Sequence, residues 1–339
     1  MKKQLGNLLK FVISLGIGIA LVFWSLKDIT DEQKQIILDS FKKANYFWLF
    51  LLLFFGLASN FFRAQRWRLL LKPIGYYPNY WNTFSAVMSM FFFNLFFPRL
   101  GEVMRCTILY KYDKVPVEKS IGTMVLERVI DLVCILFLGG LILVLEYQRF
   151  YTFFAEIAAK INFVKLGIAG LIVIIIAGIA FYFLNKKKAI HDEIVHEEHV
   201  VIAKLKGLWQ GLISIKDLQN RWEFIFHTIA IWVCYILMPY FGFKCMPETA
   251  GLGFTAATAA VFFGGFAMVL TQGGVGAFQI VIQKILLTYG ISSIIGLSYG
   301  WISWSVQTAS VILGGILSLI FLAVYNKDTT TTEMQDAKK

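Results

Sequence analysis

The chain alternates long apolar runs with short polar connections. Leu8 to Leu26, Tyr46 to Phe62, Ile121 to Leu145, Phe163 to Leu184, Trp222 to Phe243 and Leu297 to Tyr325 all approach or exceed the length that crosses a bilayer. A helix needs about 20 apolar residues to span roughly 30 Å of hydrocarbon. Two further runs are interrupted. Trp81 to Phe97 runs straight into N-L-F-F-P-R-L-G-E-V-M-R (Asn94 to Arg105). Gly251 to Leu270 breaks at T-Q-G-G-V-G (Thr271 to Gly276) and resumes as Ala277 to Thr288. Pro and Gly at such depth free backbone polar groups, which hydrocarbon tolerates only where protein or a wet cavity covers them. The pattern predicts an all-α polytopic membrane protein with about six full transmembrane helices plus two broken or re-entrant segments, eight apolar segments in all.

Basic residues set the expected orientation. Lys2 and Lys3 precede the first run and Lys10 lies at its start, F-R-A-Q-R-W-R-L-L-L-K-P closes the second, and N-K-K-K follows Leu184. Cytoplasmic loops collect Lys and Arg, so both termini are expected in the cytoplasm of an inner (cytoplasmic) membrane protein. Treating both interrupted segments as hairpins returns Lys111, Lys114 and Lys119 to the same side. Each half then reads span, span, hairpin, span, starting from opposite sides. That is an inverted repeat, with units of about 8–145 and 163–325 inside one integral-membrane domain (1–325). Residues 185–220 are expected to form a polar, helical cytoplasmic segment, and 326–339 a polar tail.

Composition agrees. The 339 residues are 58% hydrophobic and only 16% charged, with a mean hydropathy of +0.67, values that exclude an ordinary soluble domain. The net charge of +11 does not indicate nucleic-acid binding, because the basic residues flank apolar runs instead of forming a stripe. The four cysteines contain no C-x-x-C pair, so neither a disulfide framework nor a zinc site is expected. His191, His196 and His199 lie among acidic residues, but without the H-E-x-x-H order of zinc proteases. They read as a solvated helix. No nucleotide or dinucleotide fingerprint and no catalytic triad pattern occurs, and no cofactor or metal is expected.

Ionisable residues next to hydrocarbon are the candidate chemistry, since they cost several kcal/mol unless paired or hydrated. Arg99, Glu102 and Arg105 are spaced three apart after Pro98, with Asn94 just before them. Arginine forks suit phosphate oxygens, so this stretch is expected to bind an anionic headgroup or else to anchor a hairpin at the interface. Glu127, Arg128 and Asp131 form a second cluster, either a structural charge network or a coupling site. Arg63, Arg66 and Arg68 beside Trp67 read as interfacial anchors or as contacts for anionic headgroups. Gly273, Gly274 and Gly276 permit a backbone nest that can hold an anion, or simply a tight turn. Gln272, Gln279 and Gln283 would add uncharged polar lining.

Four motifs now stand in order: R-x-x-R-W from Arg63, F-x-N-x-x-x-P-R-x-G-E-x-x-R (Phe92 to Arg105), L-E-R-x-x-D (Leu126 to Asp131) and G-G-V-G-x-F (Gly273 to Phe278). Together they resemble the lysylphosphatidylglycerol synthase-like integral-membrane family, the flippase-like region of aminoacyl-phospholipid proteins. The resemblance covers roughly residues 8 to 325 and implies a stand-alone membrane part without the aminoacyl-transferase domain. It implies a non-enzymatic flippase or transporter of an anionic (phospho)lipid or lipid-linked headgroup. Membrane lipids would then be the partners. An accessory protein of a lipid or glycolipid synthase, with that synthase as partner, and an intramembrane lipid-modifying enzyme are the alternatives. The late family motif usually carries prolines before its glycines and a Glu after them. This chain has Thr271 and Gln272 before and Gln279 after, so a role needing that carboxylate does not transfer.

Overall fold

The computed structural model describes residues 30–97, 99–151 and 213–327, with a few isolated positions elsewhere. The expected spans at 8–26 and 163–184, most of the polar segment 185–220 and most of the tail 326–339 lie outside the described residues. Two units are distinguished, one made of Met1–Gly139 with Gly207–Lys339 and the other of Gly140–Lys206. Of the second, only residues 140–151 are described.

All regular structure among the described residues is helical. Amphipathic α1 (Asp31–Lys43) opens with a capping box: Thr30 accepts from the Gln33 amide while the Gln33 side chain accepts from the Thr30 amide. The apolar α2 (Tyr46–Leu71) starts at Asn45, whose side chain accepts from Phe47 N. A turn through Lys72–Ile74 and Gly75 at φ 86 stops it, because Pro73 cannot continue a helix and Gly adopts the left-handed region without cost.

The first interrupted segment is a helical hairpin, α3 (Tyr80–Phe96) and α4 (Leu100–Asp113). Asn79 caps α3 by accepting from Trp81 N and Asn82 N. The turn is completed by Arg99 at φ 64, a left-handed conformation unusual for a residue with a side chain. Gly101 makes the close return possible, since a Cβ there would collide with the Met90 carbonyl. Next come α5 (Val117–Leu145), α6 (Arg221–Phe243) and a second hairpin, α7 (Phe254–Leu270) and α8 (Ala277–Thr288), closed by the turn Gln272–Gly274. The last helix is α9 (Ser293–Tyr325).

Among the described residues, four helical segments are long and apolar enough to cross a membrane: Tyr46–Ile74, Val117–Leu145, Arg221–Phe243 and Ser293–Tyr325. They match the expected spans and extend several of them. The second run, expected to end at Phe62, continues unbroken to Leu71 and carries Arg63 and Arg66 into the protein interior. Large apolar side chains cover the outside. Phe50, Phe54, Leu57 and Phe61 form an exposed stripe on α2, and Leu132, Val133, Leu136 and Phe137 another on α5. Contiguous apolar surface of that extent would aggregate in water and is the face a multi-pass membrane protein offers to lipid.

Inside, α2 packs along α6, and α9 packs against both α3 and α8. Gly296 and Gly300 face the backbone of α8 at Gln283 and Gln279, where a Cβ on Gly300 would stand 3.0 Å from the Gln279 Cα. Small residues four apart let membrane helices approach this closely, where dispersion contacts drive association. The order in each half is therefore long helix, helical hairpin, long helix.

Candidate functional site

The two hairpin tips meet. The Gln272 side-chain amide donates to the Asn94 main-chain carbonyl at 2.5 Å. Asn94 Oδ1 in turn accepts from Gly101 N at 2.8 Å. Asn94 thus ties α3 to α4 with its side chain and α3 to the second hairpin with its backbone. On the other side Trp304 Nε1 donates to Gly273 O at 2.8 Å, fixing the glycine turn to α9.

Beside this junction lies a cavity of about 310 Å³, walled by α2, α3, α6, α7, the Gly273 turn and α9. Most of its surface is apolar, from Leu52, Leu53, Phe91, Leu95, Met238 and Met268. Its polar lining comes from Ser59, Asn60, Asn94, Gln307, Thr308 and Ser310, and along α2 the wall passes from Leu52 and Leu53 to a polar end at Ser59 and Asn60. A second cavity of about 290 Å³ shares Leu52, Phe91, Tyr235, Met238, Met268 and Gln307 with the first, and extends toward Gly264, Phe278 and Tyr299. Among the described residues, neither lining includes a charged side chain. A mostly apolar concavity with a few polar groups at one end is the usual form of a small-molecule site.

Behind the polar end stands a buried ion network. One turn beyond Ser59 and Asn60, Arg63 donates to Tyr235 OH at 2.7 Å and to Asp131 Oδ2 at 3.1 Å. Arg66 reaches Asp131 Oδ1 at 2.8 Å and Glu127 Oε1 at 3.4 Å. The other oxygen of Glu127 accepts from Arg105 at 2.5 Å. The Arg105 guanidinium also stacks 3.5 Å from the Trp67 ring, a contact that stabilises a desolvated cation. Trp67 is held in turn by Nε1 donating to Thr123 Oγ1. Arg63, Arg66, Arg105 and Glu127 are all at most 3% exposed. Three cations against Glu127 and Asp131 leave a surplus of one positive charge. Adding the Arg128–Glu102 pair at 3.5 Å does not change it.

The sequence-derived groupings are rearranged here. Glu102 pairs with Arg128 on α5 and not with its neighbours Arg99 and Arg105. Asp131 takes Arg63 and Arg66 and not Arg128. Long side chains on different helices reach these carboxylates, and satisfaction of buried charge outranks spacing within one helix. Arg99 is exposed and heads α4 without a side-chain cap. Arg68 points elsewhere, to Pro78 O and Gln65.

The glycine turn is likewise closed upon itself. Gly274 N donates to Thr271 O and Val275 N to Gln272 O, so these amides are spent inside the turn. Gly273, Gly274 and Gly276 all have positive φ, between 62 and 75. Gly274 packs under Met268 and Phe278, where a Cβ would clash with the methionine sulfur. Close approach is the property these glycines display. Of the three glutamines, Gln272 joins the junction, Gln283 donates to Ser293, and Gln279 is fully buried with neither amide atom hydrogen-bonded to protein.

Sequence reasoning missed Tyr235, Asn60 and Gln307. Tyr235 and Gln307 sit within apolar runs with no neighbouring charge to mark them, and Asn60 stands just before the Arg63 cluster at the end of one. The only available signal was a polar group at a position the helical period directs inward.

A family model described as the lysylphosphatidylglycerol synthase TM region matches residues 8–315. A UPF0104 membrane protein of Methanocaldococcus jannaschii is 34% identical over 77 residues, 22% of this chain and 23% of that protein. The matched stretch thus spans under a quarter of the relative's length. No solved structure matches the chain.

Proposed function

This chain belongs to the lysylphosphatidylglycerol synthase TM-region family, and on that premise we propose that it carries an anionic phospholipid or lipid-linked headgroup across an inner membrane. The observation that carries this reading is the cavity at the junction of the two hairpins, apolar along most of its wall and polar where the cation-rich network stands behind it. An amphiphile has the matching division. Its chains need an apolar path and its headgroup a place out of hydrocarbon.

The order of long helix, hairpin and long helix in each half supports an inverted repeat with two re-entrant hairpins. In transporters of that build the substrate site lies where the interrupted segments of the two halves meet. The tie between Asn94 and Gln272 then closes one access route, and transport requires it to open. The surplus charge of the network attracts an anionic lipid. Both termini are assigned to the cytoplasm on the distribution of lysine and arginine.

The test is lipid transfer by purified protein in proteoliposomes, read from the accessibility of a labelled phosphatidylglycerol. Gly56 lines the cavity and faces the flexible end of Met238. Gly56→Phe is expected to fill the cavity and reduce transfer to the protein-free rate while the protein remains monodisperse. Undiminished transfer by a folded Gly56→Phe protein removes the cavity from the pathway, and no transfer by the wild type refutes the transport reading.

A further inference from the structure

The polar end of the cavity has a chemistry of its own, and it does not suit a cationic headgroup. No carboxylate among the described residues lines either cavity. The carboxylates of the network, Glu127 and Asp131, already accept from Arg63, Arg66 and Arg105. The fixed charge behind the wall is a surplus cation. An ammonium entering there would lose its hydration, find no anionic partner, and face like charge across a medium that screens poorly. Selectivity against a ligand is commonly built in this way, from a repulsive element combined with unpaired polar groups.

Among the described residues, Tyr235 both lines the cavities and contacts the network. Its hydroxyl oxygen accepts from the Arg63 guanidinium, and a hydroxyl that accepts in this way keeps its own proton for donation. Bonding to the cation polarises that O–H and makes it a stronger donor. Asn60, Asn94, Gln307, Thr308 and Ser310 also line the cavity; the Asn60 and Gln307 amides each spend one donation inside the protein, on Met88 and Ser303 O, and Asn94 Oδ1 accepts from Gly101 N, which leaves each amide further hydrogen-bonding capacity. These groups both donate and accept, as recognition of alcohol groups requires.

Resting on the transport reading above, we propose that the site selects a phosphate-ester lipid whose headgroup bears hydroxyls and no ammonium group. Tyr235 donates to a phosphate oxygen, and Arg63 acts through Tyr235 without entering the cavity. The aminoacylated lipid in the family's description carries lysine and is the disfavoured ligand. The unmodified glycerol ester is the favoured one.

The experiment measures saturable binding to purified protein in detergent, by native mass spectrometry, with phosphatidylglycerol and lysylphosphatidylglycerol as the two probes. Transfer of each probe in proteoliposomes is measured separately. The wild type is expected to bind phosphatidylglycerol at least tenfold more tightly. Tyr235→Phe retains the ring and is expected to keep its elution profile, with a lower melting temperature because Arg63 loses an acceptor, while the preference falls below threefold through weaker binding of phosphatidylglycerol. Asn60→Leu is expected to weaken phosphatidylglycerol binding with the preference partly kept. Equal or tighter binding of the lysyl lipid by the wild type, or an unchanged preference in Tyr235→Phe, overturns the inference and leaves transport standing. No saturable binding and no transfer of either lipid overturns both.

Discussion

The side chain of Gln272 donates to the backbone carbonyl of Asn94, 178 positions away in the chain. One hydrogen bond therefore joins the tips of the two helical hairpins beside the central cavity. Gln272→Leu removes the donor and leaves the carbonyl of Asn94 with no replacement. An unsatisfied buried group costs about 1–3 kcal/mol, so a lower melting temperature in detergent is expected. Faster or leakier lipid transfer should accompany it if the tie closes the cavity, whereas an unchanged transfer rate would show that the tie is only structural.

Arg105 is paired with Glu127 and stacked on Trp67, without contact to either cavity. Arg105→Gln leaves Glu127 with Arg66 as its remaining cation, and breaking a buried pair from one side costs roughly 3–5 kcal/mol. Glu127 also serves Arg66, so Arg105→Gln with Glu127→Gln is expected to recover only part of that loss. Chemical denaturation of the three variants and the parent forms the double-mutant cycle. Additive losses would show that the two residues are not coupled.

Gly101 returns the chain from α3 to α4 against the Met90 carbonyl. Gly101→Ala must push the two helices apart, and overpacking of this kind costs about 1–3 kcal/mol. Reduced thermal stability and more proteolytic cutting near residue 99 are the expected readouts. A parental melting temperature would mean that the hairpin tolerates wider separation.

Gln279 is fully buried and neither end of its amide is hydrogen-bonded to protein. Gln279→Met keeps the volume and removes the polar atoms. Such a replacement is expected to raise stability by about 1 kcal/mol. A loss of stability together with a loss of lipid transfer would instead give this amide a working role.

Asp113 ends α4 and accepts from Asn79 N at 2.8 Å. Burial lifts its carboxyl above the ordinary value of 3.8, against the opposing hydrogen bonds from Asn79 and Asn82. A carboxyl raised in the folded state stabilises the fold in its protonated form. That contribution is complete below the ordinary carboxylate range and is lost as pH rises through the raised value. The stability of the wild type relative to Asp113→Asn should therefore fall as pH is raised from about 4. A pH-independent difference between the two would contradict this.

The four long helices among the described residues were legible in the sequence because crossing hydrocarbon imposes a length and a composition that few other structures share. Both interruptions were legible for a related reason, since the Pro and Gly of 98–101 and the glycines of 273–276 are residue types that disfavour a continuous helix, although the positive φ of the first turn falls on Arg99. Pairing within the site was not. Spacing grouped Arg105 with Arg99 and Glu102, and Asp131 with Glu127 and Arg128, whereas the fold joins Arg105 to Glu127, Glu102 to Arg128, and Asp131 to Arg63 and Arg66.

By itself, then, the sequence determined that the chain is a multi-pass membrane protein, about where the four long helices of the described residues lie and where the two interruptions fall, because those follow from local hydrophobicity and backbone chemistry. Tertiary structure decided which charges neutralise one another, that the Asn94 and Gln272 tips touch, and that Tyr235 connects a cavity without charge to a buried cationic network. Those outcomes depend on side chains far apart in sequence arriving in one desolvated place. There the need to satisfy each buried charge and donor selects the partner, and no local pattern records that choice.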